Sequence, residues 1–184
     1  MRSVRQLGAV AAAGAFFVSA PAYADPATTN SLQIGLGFRY GIEMMEGDVN
    51  PWGFGLGLDA GYTLPNAVYV GGTAEYFFGE EVALEGGSLD TNIWQIMAEG
   101  GYDVGAGPLV LRPKLGLGFA SSSAEVCLDG LGCSNDSATD FALAPGVAAM
   151  LFLPMLSVSA NVRYAFVFAE ETAKAIIFSI GLGF

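Results

Sequence analysis

Leu-Ser-Val-Ser-Ala-Asn-Val-Arg-Tyr-Ala-Phe-Val-Phe, residues 156–168, is the stretch whose reading decides the fold. Leu156, Val158, Ala160, Val162, Tyr164, Phe166 and Phe168 share one parity, while Ser157, Ser159, Asn161 and Arg163 share the other. Side chains alternate across a strand, so a period of two sends these sets to opposite faces. One face is apolar throughout and ends in aromatics; the other is polar and carries a full charge. The segment alone does not say which face meets solvent.

The same pattern recurs on both sides of it. Leu32 to Glu43 sets Leu32, Ile34, Leu36, Phe38, Tyr40 and Ile42 against Gln33, Arg39 and glycines. Trp52 to Leu64 sets Trp52, Phe54, Leu56, Leu58, Ala60 and Tyr62 against glycines and Asp59. Val68–Phe78, Asp90–Asp103, Leu109–Ala120, Phe141–Phe152 and a final segment ending at Phe184 continue the series. The alternation is weakest over Phe141–Phe152, where Ala and Met hold the inner parity.

Between these eight strands the connections alternate in length. Residues 43–51, 79–89 and 121–140 form long connections, while 65–67, 104–107 and 153–155 form short turns. Aromatics gather near strand ends, and Gly-Leu-Gly-Phe occurs at 35–38, 116–119 and 181–184 with its glycines on the polar parity. Glycine weakens a strand, so its repeated inward use reserves room for large side chains across a lumen. An apolar outer face, aromatic girdles and loops of unequal length describe a closed membrane barrel. A soluble barrel would expose the parity that is largely glycine.

The N-terminus reads as a secretory signal. Arg2 and Arg5 precede an Ala-rich apolar run, and Ala22-Tyr23-Ala24 is a small-x-small cleavage site. The expected organisation is therefore a signal peptide over 1–24, an N-terminal extension over 25–31 and a barrel over 32–184. Of the whole chain 53% is hydrophobic and only 14% charged, whereas a soluble domain carries about a quarter charged residues. With the signal removed, five bases remain against eighteen acids, which excludes nucleic acid as a partner class. Cys127 and Cys133 lie close together in an exported chain and are expected to form a disulfide. With no His in the chain to join them, a metal site is the weaker reading.

Together the signal, the eight alternating strands, the inward glycines and the terminal Phe184 resemble the small OmpA/OmpX-like outer-membrane barrel family. The resemblance spans Leu32 to Phe184. It implies an all-β, eight-stranded, antiparallel up-and-down transmembrane β-barrel in the bacterial outer membrane, surrounded by its lipid. It also implies insertion by the barrel-assembly machinery, with Phe184 as part of the assembly signal, and a monomer is the expected state.

Catalysis has little to draw on. Barrel hydrolases generally use His as base or partner, and this chain has none. The expectation is a protein without enzymatic activity or cofactor. Arg39, Arg112, Lys114 and Arg163 share the inward parity with Asp59, Glu75 and Glu99. An eight-stranded barrel is just wide enough for side chains to fill, so these seven are expected to pair into a polar plug. If the turn at Val104–Gly107 sets Asp103 opposite Pro108, Glu99 faces Arg112, and Lys114 looks across the lumen toward Glu75.

Thirteen of the eighteen acids fall in or beside four outer loops, the three long connections and a brief loop at 170–172: Glu43, Glu46, Asp48, Glu80, Glu81, Glu85, Asp90, Glu125, Asp129, Asp136, Asp140, Glu170 and Glu171. Only Lys174 opposes them. Such a surface is solvated and resists aggregation, and it would attract divalent cations or an extracellular ligand of basic character. Two functions stay open at this point. One is a structural or surface-interaction barrel of adhesive type, and the other a small channel or transporter for ions or apolar solutes.

Overall fold

Period-two segments of this kind pair edge to edge until no free edge remains in the bilayer. The computed structural model describes residues 31–44, 50–80, 82–84, 87–128, 132–153, 155–169 and 171–184. The signal peptide, its cleavage site, residues 25–30 of the N-terminal extension and Glu46, Asp48, Glu81, Glu85, Asp129 and Glu170 lie outside the described residues. The strands are β1 (Ser31–Glu43), β2 (Phe54–Thr63), β3 (Val68–Phe78), β4 (Val82–Leu84), β5 (Gly87–Tyr102), β6 (Val104–Ala106), β7 (Leu109–Leu128), β8 (Gly132–Phe152), β9 (Ser157–Val167) and β10 (Ala173–Gly183).

Setting aside the three-residue β4 and β6, eight antiparallel strands form the wall. Neighbours follow chain order, β1 pairs with β10, and the β5–β7 pairing completes the ring. The large apolar residues of the outward parity, among them Leu36, Leu56, Ile96, Leu117, Val147 and Ile180, are exposed to the surroundings. Lipid covers them in a membrane, where a mid-plane base would cost about 2–4 kcal/mol. Phe38, Phe54 and Phe78 on one side, and Phe119, Phe141 and Phe168 on the other, form ring contacts at 5.8–6.3 Å that mark the loop-side girdle.

Both strand prolines leave visible breaks. Pro113 has no N–H to give, and the ladder between Gly101–Lys114 and Val104–Leu111 is interrupted there, which separates β5 from β6. Pro145 does the same between β8 and β9, whose ladder stops at Leu143–Phe166 and resumes at Gly146–Arg163.

Residues 121–140 are not the long loop that their polar composition suggests. β7 and β8 remain paired from Leu109–Leu151 to Leu128–Gly132, and β5 continues beside them up to Gly87–Leu128. Above the aromatic girdle these strands, with β4, form a projecting ribbon. Cys127 and Cys133 face each other across its end, joined by a disulfide with Cα atoms 4.0 Å apart.

The closed loop is short, so the entropic gain lies at the lower end of about 2–4 kcal/mol, and it is confined to the ribbon. Reduction should therefore leave the denaturation midpoint of the barrel nearly unchanged while speeding proteolysis near residues 127–133. A large fall in that midpoint, or quantitative maleimide labelling of the unreduced protein, would contradict this.

Candidate functional site

The lumen is the first place where chemistry could reside, and two layers fill it. Charges withdrawn from bulk water on the inward parity are tolerated when they are paired and hydrogen-bonded. Arg39 on β1 donates from Nε to Glu75 Oε1 at 2.7 Å and from Nη2 to Asp59 Oδ2 at 2.5 Å. Glu75 on β3 is shared, since its Oε2 also bridges to Arg163 of β9. Arg163 reaches Gln95 Oε1 at 3.0 Å and Glu99 Oε1 at 3.7 Å. Lys114 Nζ donates to both oxygens of Glu99 at 2.9 Å. The network thus runs from Asp59 through Arg39, Glu75, Arg163 and Glu99 to Lys114, and its charges balance.

Inward glycines make this packing achievable. A Cβ on Gly57 would lie 2.7 Å from Nε and Nη2 of Arg39, and one on Gly146 would lie 2.6 Å from the Arg163 Cβ. The space left beside the network is a cavity of about 70 Å³ along Ser157, Ser159, Gly181 and Gly183, where little or no side chain fills the lumen. That is room for a few waters, at about 10–15 Å³ each.

Arg112 is not the partner of Glu99. Its Nε donates to Asp103 Oδ1 at 2.5 Å and its Nη2 to Asp103 Oδ2 at 2.8 Å, and the guanidinium lies 3.7 Å above the Tyr69 ring. Thr63 Oγ1 at 3.1 Å and Gln33 Oε1 at 3.2 Å complete its shell. Nor does Lys114 turn to Glu75. The hairpin reverses further along than 104–107 suggests, because Val104 pairs with Leu111 and Ala106 with Leu109 around Gly107. Glu99 consequently faces Gly116, and Gly101 faces Lys114. Parity is preserved while every partner changes. Asp103 has the inward parity but is missing from the expected seven, and Gly107-Pro108 as turn residues is the signal that would have added it.

A double-mutant cycle on Asp103→Asn and Arg112→Met should accordingly show a coupling of roughly 1–3 kcal/mol in unfolding free energy. Glu99→Gln with Arg112→Met should be nearly additive. The reverse ranking would refute this register.

Above the charges, toward the loops, the lumen is apolar and not polar throughout. Trp52, Phe77, Ile93, Met97, Val167 and Ile177 pack with inward alanines of β7, β8, β9 and β10 into one buried cluster. Trp52 thus turns inward, against the expectation that it faces lipid. It precedes the strand, and Gly53 with φ +42° breaks the parity count between them. The Asn50 side chain holds this corner, accepting from the N–H of Glu43 and of Trp52 at 3.3 Å and donating to Gly41 O at 2.9 Å. The Trp52 ring meets Phe77 edge-on at 5.1 Å.

Outside the membrane the ribbon carries the acids Asp90, Glu125, Asp136 and Asp140 on strands and not in loops. Glu125, Cys127 and Cys133 come close enough to suggest a metal cluster. Both sulfurs are occupied by their disulfide, so this group does not serve as one.

Comparison with known proteins fits this architecture. The sequence profile of the outer membrane protein beta-barrel domain family matches residues 9–184. No curated protein matches the chain in sequence. Among solved structures it is similar to Neisserial surface protein A, with 18% identity, TM-score 0.56, and 83% of this chain and 94% of that one covered. It is also similar to the attachment invasion locus protein of Yersinia pestis in complex with the heparin analogue sucrose octasulfate, with 17% identity, TM-score 0.59, and 84% and 97% covered. A major outer membrane protein from Thermus thermophilus aligns with 12% identity, TM-score 0.64, and 84% and 99% covered. At these identities the likeness is one of fold.

Proposed function

The chain belongs to the outer membrane protein beta-barrel domain family, and from that premise we propose that this bacterial outer-membrane barrel is a sealed anchor that presents its ribbon to a partner at the cell surface. The lumen encloses ion pairs and a hydrophobic stopper, and the His that barrel hydrolases generally use as base or partner does not occur in the chain.

The observation that carries the reading is the ribbon itself. β7 and β8 stay paired well beyond the girdle formed by Phe119, Phe141 and Phe168, whereas β9 ends at Val167. Building strand so far above the lipid adds nothing to membrane anchorage. A projecting, disulfide-closed sheet gives a partner a rigid surface at low ordering cost. The acids on it disfavour a polyanionic partner such as the heparin analogue bound by the Yersinia protein.

A channel is the competing function, and the lumen argues against it. An ion would have to pass the Trp52 cluster and then a neutral, fully paired charge layer. Planar-bilayer recordings of the folded protein should show no conductance steps above the lipid background, and sustained single-channel currents would sink the sealed-anchor reading. Replacing residues 122–139 with a tight turn should keep heat-modifiable folding and abolish attachment of expressing cells to their target surface.

A further inference from the structure

The ribbon has an inner face as well as an outer one, and the inner face continues the lumen wall above the stopper. Ile93 belongs to the buried apolar cluster, so its side chain points inward. Ser122 and Ala138 lie beside it in the cross-strand row from β5 through β7 to β8 and share its face. Two residues further out on each strand, Thr91, Ala124 and Asp136 form the next row of that face. Apart from the Asp136 carboxylate, these rows offer only hydroxyl and methyl groups, which leave a gap to the wall opposite. Pro51 supplies that wall, on the corner where the Asn50 side chain accepts from the Trp52 N–H. Between the two walls lies a cup of about 280 Å³, close to the lower bound of about 300 Å³ for small-molecule sites.

The lining suits few ligand classes. Asp136 Oδ1 accepts from the Ser137 N–H at 3.0 Å, which orients the carboxylate and leaves Oδ2 to a further donor. The Thr91 and Ser122 hydroxyls can each donate and accept. An apolar ligand would leave these three polar groups without partners. An anion would meet the carboxylate, on a ribbon whose other strand acids Asp90, Glu125 and Asp140 have the same sign. A divalent cation would find one carboxylate among the described lining residues, fewer oxygens than such ions take. A lysine or arginine side chain would satisfy Asp136 but brings no acceptor for the two hydroxyls. A sugar ring matches every part. Its C–H face covers Pro51, Ala124 and Ala138, and its hydroxyls exchange hydrogen bonds with Thr91 and Ser122. One sugar hydroxyl donating to Asp136 makes a charge-assisted bond, the stronger kind.

We propose that the cup between Pro51 and the inner face of the ribbon binds one uncharged hexose unit of a surface glycan, with Thr91, Ser122 and Asp136 as its polar contacts. This rests on the surface-interaction reading and names its partner chemistry. The cup admits one ring and not a chain, so it selects a terminal sugar. With so few contacts the dissociation constant should be on the order of 1 mM.

The test uses the protein in nanodiscs and saturation-transfer NMR with the methyl glycosides of glucose, galactose, mannose and N-acetylglucosamine. At about 10 mM, well above the expected constant, at least one of them should receive saturation. Methyl glucuronide, the glucose ring with a carboxylate, should not. Asp136→Asn should weaken binding of the responding glycoside about tenfold, through loss of one charge-assisted bond. Ala124→Leu should abolish binding by filling the cup, with Ala138→Leu as the alternative should the first fail to fold. Asp90→Asn, on the outer face of the ribbon, should leave binding unchanged.

The glycosides are first read on the unaltered protein, and the heat-modifiable gel shift reports whether each variant is folded, so a folding defect cannot pass for a lost site. Saturation of none of the neutral glycosides overturns the proposal. So does an equal response from the glucuronide, or binding that survives a leucine at residue 124 or 138 in the folded protein. Displacement of the glycoside by an equal concentration of ethylammonium also overturns it, and would give the cup to a cationic side chain. If ribbon removal abolishes cell attachment while no neutral glycoside binds, the sugar falls and the surface-interaction reading stands.

Discussion

Glu75→Gln should destabilise the barrel by roughly 3–5 kcal/mol, the range for breaking a buried ion pair by removing one partner. Among the described residues Glu75 is the one carboxylate bridging Arg39 and Arg163, and all three side chains are at most 3% exposed. Gln keeps an acceptor oxygen but not the charge. Arg39 would retain Asp59, which is 34% exposed and partly hydrated. Arg163 would retain only Gln95 and the distant Glu99 oxygen. The loss should fall mainly on Arg163, so adding Arg163→Met should recover much of the stability, because an apolar replacement removes the stranded charge. Urea unfolding in lipid vesicles, followed by the heat-modifiable gel shift, reads both variants. A double variant no more stable than Glu75→Gln alone would refute the shared-carboxylate arrangement. So would a single-variant cost below about 1 kcal/mol, the level of an exposed pair.

Which residues face inward was legible because a strand's period of two needs no knowledge of its neighbours. Arg39, Asp59, Glu75, Glu99, Arg112, Lys114 and Arg163 all lie inside the barrel for that reason. Pairing depends on register, and register depends on where a hairpin turns. A turn at Gly107 instead of 104–107 kept Arg112 inward but gave it Asp103, while Glu99 went to Lys114 and Arg163. The ribbon was hidden for a different reason. Above the membrane neither face needs to be apolar, so Ser, Asn and Asp at 134–137 carry no alternation and read as loop. Pairing with β7 holds them as a strand, and the opposing Cys127 and Cys133 were its only local sign. Inward alanines at 142 and 144 looked like faded alternation; with Ala165 and Ala175 they line the apolar layer, where small side chains leave room for Trp52 and Phe77.

Trp52→Ala should cost about 3–5 kcal/mol, the usual loss on truncating a buried Trp. The ring is 1% exposed, closes the loop-side mouth of the lumen and rests on Phe77. Its backbone is pinned from both sides, by Asn50 and by the Gly41 N–H donating to Gly53 O at 2.8 Å. Little collapse can fill the space it leaves. A Cβ on Gly41 would come within 2.5 Å of the Trp52 Cβ, which shows how closely the wall fits around it. Trp94, the other Trp of the chain, is 40% exposed on the outward face and sits in lipid. The pair separates the two environments spectroscopically. In the parent protein acrylamide should quench neither ring efficiently, and brominated lipid should quench Trp94 alone. Trp94→Phe, with Trp52 left as sole emitter, should be insensitive to both quenchers until the barrel unfolds. Strong acrylamide quenching of that variant in the folded state would put Trp52 in water and remove the apolar stopper. Trp52→Ala should still pass no current, because the Arg39, Glu75 and Arg163 layer lies beneath the stopper and closes the lumen independently.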